Sequence, residues 1–326
     1  MSTLKEISKV SGVSISAVSR IINQDTTLNI STDKRQKVLA VANSLGYKNP
    51  KQRKPKNGLK IALIHWYTRK QELEDTYYLS IRLGIEKAAH DLGITLVKVF
   101  YDDLKTNIVP LEGAIAIGKF DASEIALLKT NYTHITFVDS SPDESTFDSV
   151  VIDFEQAYQN AINHLDSLGL YDVGYIGGRE YTHALNTPIG ERREQFFKNH
   201  YKDHSKIHIG SFSIKSGYDL MKQAIKSNNL AKAYLVASDA MAIGCLNALY
   251  EHGINVPEDI SIIGFNDIEQ SAYTIPPLTT IKVFQSHMGE TALKLLLEKI
   301  NGRKISQKII VQTKLIIRKS TKAVSL

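Results

Sequence analysis

The chain has 326 residues, 43% hydrophobic and 23% charged, with a formal net charge of +6, an ordinary globular composition that predicts roughly two to three folding units. No run approaches the ~18 consecutive apolar residues of a membrane span, and the single cysteine, Cys245, excludes both an internal disulfide framework and a cysteine-cluster metal site. The opening stretch, MSTLKEISKVSG, is charged and amphipathic without the apolar core of a leader, so a cytoplasmic protein with no membrane partner is expected. The charge is unevenly placed. Residues 1–60 hold 12 Lys/Arg against 3 Asp/Glu, and the remaining 266 hold 28 against 31. A basic head on a mildly acidic body predicts that the head alone meets a polyanion.

In chain order, Thr3 and Glu6 have the spacing of a capping box. They predict a first short helix that buries Leu4, Ile7 and Val10. Gly12 stops it, and Ser14 caps a second helix with Val18, Ile21 and Ile22 on its apolar face. Ile15, Ser16, Ser19, Arg20 and Asn23 point the other way. A third helix, with Ser31 as its cap and Val38, Ala42 and Leu45 inward, ends at Gly46. Two helices joined by a short glycine-containing turn and supported by a third describe a helix-turn-helix. The outward face of the second helix suits a DNA major groove: Arg20 can fork onto guanine, Ser16 can bond either base type, and Ile15 can lie against a thymine methyl. Ser19, Asn23, Lys34 and Arg35 could hold phosphates and set register. The same pattern is open to a second reading, a helical interaction module whose polar face is merely wet.

The segment LKEISKVSGVSISAVSRIIN, followed by IS-x-x-KR-x-KV-x-x-x-A-x-x-LGY, resembles the DNA-binding head of the lactose/galactose repressor (LacI/GalR) family over nearly all of residues 3–47. The resemblance implies that Ile15, Ser16 and Arg20 face bases, and that Thr3, Leu4, Ser19, Asn23 and Arg35 approach the DNA backbone. The DTTLN stretch between the second and third helices is longer than the commonest family pattern. Residues 48–59 then form a basic linker, rich in Lys/Arg, with Pro50 and Pro55 set against helix formation. Many family members wedge a hinge-helix leucine into the minor groove here. This linker lacks the usual alanine-arginine-leucine run, so electrostatic tethering is expected rather than wedge insertion.

From residue 60 to 326 the pattern changes to short apolar runs alternating with helical stretches. KIALIH, ITLVKV, GAIAIG, HITFV and SVVID read as buried strands with helices such as LSIRLGIEKAAHDLG between them. A second series, VGYIGG, AYLVAS and ISIIGF, is interleaved with helices near 189–200, 215–227 and 240–252. Such alternation predicts two α/β lobes of parallel strands covered by helices, with a cleft between them. The segments LGIEKAAHDLGI, SDAMAIGCLNALYEHGINVPEDISIIGFND and IPPLTTIKV resemble the sugar-binding core of the same family, which is similar to periplasmic binding proteins. Within the family, HWYTRKQELEDTYYLSIRLGIE and FVDSSPDESTFDSVVIDF are most similar to the galactose-operon repressors of Gram-positive bacteria. The resemblance implies a body, residues 60–326, that binds an effector and pairs the protomers.

Ligands of parallel sheets bind beyond the strand carboxyl ends. Those ends supply Trp66, Asp139, Ser238 and Asn266, a mixture of aromatic face and hydrogen-bonding groups suited to a neutral sugar. The resemblance adds Arg193 as the arginine that bonds sugar hydroxyls or a carboxylate, and Tyr78 and Phe212 as walls. Where many family members have Asn and Asp, this chain has Ser238 and Asn266. Other roles stay open: packing for Trp66, a surface ion pair for Arg193, and capping of the SSP turn for Asp139.

Catalysis is not expected. GYIGG at 174–178 lacks the dinucleotide-binding spacing and reads as a tight strand-to-loop turn, and no phosphate loop is present. His200, His204 and His208 recur every four residues, but a helix-to-strand change around HSKIHIG breaks any common face, so no metal is expected. Cys245 reads as a small buried helix residue. No cofactor is implied. The expectation is a homodimeric, sugar-responsive repressor that reads a pseudo-palindromic operator and releases it on binding galactose. The alternatives are a regulator whose corepressor strengthens DNA binding, and a stand-alone sugar-binding or sugar-modifying protein with an incidental basic head.

Overall fold

The computed structural model of the chain describes residues 3–23, 25, 27–45, 47, 58–74, 76–104, 108–182, 186 and 188–323. Two compact units result, Met1–Asn57 and Gly58–Leu326. Gly46 and all but the last two residues of the 48–59 linker, including Pro50 and Pro55, lie outside the described residues.

The first unit holds three helices, α1 (Leu4–Ser11), α2 (Ile15–Ile22) and α3 (Thr32–Ser44). Thr3 and Glu6 do form the capping box: the Glu6 N–H donates to Thr3 Oγ1 at 3.3 Å and the Thr3 N–H to Glu6 Oε2 at 2.9 Å. Gly12 ends α1 at φ 73°, in the left-handed region. Ile7, Val18, Ile21, Val38 and Ala42 make the core, and Leu4, Val13, Ile22, Leu28, Ile30, Val41 and Tyr47 pack around it. Each large side chain so buried contributes about 1.5–3 kcal/mol.

Two expected core residues are not in it. Val10 is 57% exposed and Leu45 38%. On α1 the helical advance places Leu4, Ile7 and Ser11 on one side and turns Val10 away, so small, buried Ser11 lets α1 approach its neighbours. Leu45 lies at the very end of α3, where the face runs past its partners. The Tyr47 N–H donates back to the Ala42 carbonyl at 2.8 Å, and Tyr47 closes the core instead. Ser31 stands at the N-cap of α3 without a side-chain capping bond.

The second unit is built on two sheets. The first lobe contains β1 (Lys60–His65), β2 (Thr95–Val99), β3 (Gly113–Ile117), β4 (Ile135–Val138) and β5 (Asp148–Ile152), with α4 (Arg69–Glu74), α5 (Thr76–Leu92) and α6 (Ala122–Asn131). The second contains β6 (Val173–Gly178), β7 (Ile207–Gly210), β8 (Ala233–Val236), β9 (Ser261–Asn266) and β10 (Thr279–Lys282), with α7 (Phe154–Ser167), α8 (Arg192–His200), α9 (Ile214–Lys226) and α10 (Asp239–Glu251). The chain then returns to the first lobe for α11 (Gln285–Ile300) and β11 (Lys308–Val311), and crosses again for β12 (Lys314–Ile316).

Both sheets are six-stranded, in the orders β2-β1-β3-β4-β5-β11 and β7-β6-β8-β9-β10-β12. Every pairing is parallel except β12 on β10. The central strands β3, β4, β5, β6, β8 and β9 are buried throughout, which is why they read as mainly apolar runs. Reversal of strand order beside β1 and β6 opens a crevice at the carboxyl end of each sheet. Three connections join the lobes, at residues 153, 283–284 and 312–313. Among the described residues, no helix is long and apolar enough to cross a membrane.

Candidate functional site

The carboxyl ends of the two sheets line a common cavity. The first lobe contributes Tyr77 and Tyr78 from α5, Lys119 after β3 and Asp139 after β4. The second contributes Phe154, Glu180 after β6, Arg193 on α8, Phe212 after β7, Ser238 after β8, and Phe265 and Asn266 on β9. Six of the seven expected effector residues, Tyr78, Asp139, Arg193, Phe212, Ser238 and Asn266, therefore line one space. Trp66 does not. Its ring is 2% exposed, packs against Tyr67 and Tyr78, and lines a neighbouring cavity.

Arg193 is buried, which rules out the surface ion pair. Its Nε and Nη2 donate to the two oxygens of Glu191 at 2.6 and 2.7 Å, and Nη1 donates to the Ala237 carbonyl at 2.6 Å. Phe154, Phe212 and Phe265 have their ring centres 4.9–5.3 Å from the guanidinium. Of the five N–H bonds a guanidinium carries, three are engaged. Burial works against both charges of the pair. Even so, the facing carboxylate holds Arg193 well above its ordinary range, and the guanidinium brings Glu191 down to about 2.

Asp139 leaves β4 with φ 66°. Both of its carboxylate oxygens accept tyrosine hydroxyls, Tyr77 at 2.9 Å and Tyr78 at 2.8 Å, rather than capping the following turn. Burial raises its pKa above the ordinary carboxylate value, although Lys119 and the two hydroxyls pull the other way. Burial and Asp139 together raise Tyr78, so that it stays a neutral donor. Lys119 meets Glu180 across the cleft at 2.8 Å, and the Tyr67 hydroxyl donates to the other Glu180 oxygen at 2.9 Å. For Lys119, the carboxylates of Glu180, Asp139 and Glu191 outweigh burial and keep the amine charged.

Ser238 caps α10, accepting from the Met241 N–H at 3.3 Å, which leaves its hydroxyl proton free to turn into the cavity. Asn266 sits at φ 112°. Its carbonyl is held by Gln285 at 3.1 Å, and among the described residues its side-chain amide makes no hydrogen bond. Two glycines make room for rings at the strand ends: a Cβ on Gly118 would lie 2.5 Å from Trp66, and one on Gly178 2.6 Å from Phe212. Gly174–Gly178 is thus strand to its last residue rather than a turn.

Lys119, Glu180, Glu191, Tyr77, Phe154 and Phe265 were not foreseen. Lys119 and Glu180 each follow a strand by two residues, the same signal that picked out Asp139, but a charged residue after a strand reads equally well as a solvated loop. The histidine series is also explained: His200 ends α8, His204 bonds the Lys198 and Tyr201 carbonyls, and His208 lies on β7. Cys245 is buried on α10, its thiol pushed up by burial.

On the first unit, Ile15, Ser16, Arg20 and Asn23 are exposed and Ser19 is half-buried beside them; four of the five lie on α2 and Asn23 is its C-cap. Thr3 and Lys34 are exposed, whereas Leu4 is half-buried. Arg35 donates to the Asp25 carbonyl at 3.2 Å, and Asn23 to the Ser19 carbonyl at 2.9 Å. Arg20 is tied to Asp25 at 2.7 Å and Thr27 at 2.9 Å.

Residues 3–49 match the family described as bacterial regulatory proteins, lacI family, and residues 162–321 match a periplasmic binding protein-like domain. The chain is 38% identical to the HTH-type transcriptional regulator GalR of Streptococcus thermophilus, over 99% of this chain and 100% of that protein. It is 37% identical to the HTH-type transcriptional repressor MelR of Bacillus subtilis (strain 168), over 98% and 97%. Among solved structures, a Lac repressor dimer bound to operator and the anti-inducer ONPF is similar at a TM-score of 0.71 and 26% identity, covering 99% of each chain.

Proposed function

The chain belongs to the lacI family of bacterial regulatory proteins, and from that premise we propose that it is a cytoplasmic, homodimeric repressor of a sugar-utilisation operon, released from its operator by galactose. It is a DNA-binding transcriptional regulator with a periplasmic-binding-protein-like body. In this reading residues 1–47 read DNA, 48–59 tether the head through phosphate charge, and 60–326 bind the effector and pair the protomers. Ile15, Ser16 and Arg20 face bases in the major groove. Thr3, Leu4, Ser19, Asn23, Lys34 and Arg35 set register on the backbone. Two heads call for a pseudo-palindromic operator.

The observation that carries the effector class is the cavity's charge and lining. Both of its cations, Lys119 and Arg193, are already matched to carboxylates, and Asp139 adds no positive charge. An anionic ligand such as a phosphosugar would meet no spare cation. A neutral polyhydroxylated ring finds aromatic and apolar walls, two Arg193 N–H bonds unengaged among the described residues, the Ser238 hydroxyl and the Asn266 amide. Trp66, one ring removed, supports Tyr78 from behind. Galactose is favoured over other neutral sugars by the resemblance of residues 65–86 and 137–154 to galactose-operon repressors.

Fluorescence anisotropy of the full-length protein on a labelled palindrome from upstream of its gene tests the proposal. Galactose at millimolar concentration is expected to weaken specific binding, and glucose to leave it unchanged. Binding indifferent to galactose would discard that sugar, and binding tightened by it would reverse the sign of the response.

A further inference from the structure

Arg20 lies in the last turn of α2 and is about half exposed, yet its guanidinium is not loose. Nε donates to Asp25 Oδ2 at 2.7 Å and Nη2 to Thr27 Oγ1 at 2.9 Å. Thr27 in turn donates to Asp25 Oδ1 from its hydroxyl at 2.7 Å and its backbone N–H at 2.8 Å. The anchor is itself anchored: the Asp25 N–H donates to the Arg20 carbonyl at 3.0 Å, and the Asp25 carbonyl accepts from Arg35 on α3 at 3.2 Å. The Arg20 guanidinium beside Asp25 holds the carboxyl down at about 2, so it is ionised at any physiological pH.

A guanidinium can present two forks. The side fork is Nε–H with the near Nη2–H, and the end fork is Nη1–H with the far Nη2–H. Asp25 and Thr27 occupy the side fork. The end fork has no partner among the described residues. Guanine offers O6 and N7 side by side in the major groove, which two parallel N–H bonds can meet.

We infer that Asp25, closed by Thr27, is a positioning residue that presents the end fork of Arg20 to a guanine, so that discrimination at that base pair depends on a loop residue that itself touches no base. The inference rests on the DNA-reading function proposed above. Ordering a long side chain before binding is worth roughly 2- to 10-fold in affinity for the matched partner. A carboxylate beside the phosphates also repels every duplex alike. Asp25 therefore raises discrimination while lowering general affinity, and the nine residues separating α2 from α3 give the chain room to place it.

The test selects preferred sites from a randomised duplex pool with the full-length protein, then measures affinity for the selected site and each single base-pair substitution. Arg20→Ala identifies the base pair that Arg20 reads. Asp25→Ala is expected to lose about 5- to 10-fold discrimination at that pair only, with affinity for random duplex unchanged or higher. Asp25→Asn, which keeps an acceptor for Nε, is expected to restore part of the loss. In an Arg20→Ala background Asp25→Ala should have no further effect on discrimination, within about twofold. Discrimination retained at that pair, sharpened there, or lost evenly at every position would overturn the inference, as would an Arg20→Ala protein with an unchanged preference. A wild-type protein that selects no sequence would instead sink the DNA-reading function itself.

Discussion

Burying a guanidinium is costly unless its charge is matched and its N–H bonds are used. At Arg193 both conditions are met, by the Glu191 fork, the Ala237 carbonyl and three phenylalanine rings. Glu191→Gln leaves the cation buried without its partner, and a loss of about 3–5 kcal/mol in unfolding free energy is expected. Because folding depresses Glu191 from 4.5 to about 2, its contribution is complete above pH 4.5 and is lost as pH falls toward 2. The urea midpoints of wild type and Glu191→Gln should therefore differ at neutral pH and converge in acid; a constant gap would refute the pairing. Arg193 was accessible from the sequence through its resemblance to a family arginine. Glu191 was not, because one acid among GERRE gives no sign of which arginine turns inward.

At the scale of elements, the strand ends bring chemistry together because each sheet places its crevice beyond β1 and β6. The buried central strands announced themselves as apolar runs, and the helices between them fell within a few residues of expectation. β10, β11 and β12 did not announce themselves. β10 carries two threonines and a lysine, and the other two are short, half-exposed edge strands with lysines, so their hydrophobic signal is weak. Nor could the pattern reveal that α11 returns to the first lobe, since packing partners are not written in periodicity. The least legible contact is the one that spans the lobes, Lys119 and Tyr67 on Glu180. It joins residues that follow β1, β3 and β6, far apart in sequence. Glu180→Gln removes the charge and leaves Lys119 beside Asp139, so the lobes lose a tie. If ligand binds the closed arrangement, apparent affinity falls by the fraction of molecules no longer closed. About tenfold weaker sugar binding by calorimetry is expected, with a larger sugar-induced contraction in small-angle scattering. Unchanged affinity and scattering would mean that the pair does not set the spacing of the lobes.

Across the whole molecule, charge and cavity are assigned to different parts of the chain: residues 1–60 hold 12 Lys/Arg against 3 Asp/Glu, and the cavity proposed to take the sugar lies in the second unit. A ligand shifts an equilibrium only by binding its states unequally, and such coupling is reciprocal. If galactose weakens operator binding, saturating operator must weaken galactose binding by the same factor, commonly about 5- to 150-fold. Full-length protein titrated with sugar, with and without operator, gives one ratio; titrated with operator, with and without sugar, it gives the other. Arg193→Ala should abolish both responses while preserving the salt dependence of operator binding, because each neutralised phosphate contributes about −0.9 to the log–log slope and those contacts are proposed for the head and its linker. A slope that shifted by about one or more in Arg193→Ala would place a phosphate contact in the body and break the division of labour. A slope left intact beside a lost sugar response would assign DNA affinity to the head and its control to the cleft, which is the arrangement a sugar-released repressor requires.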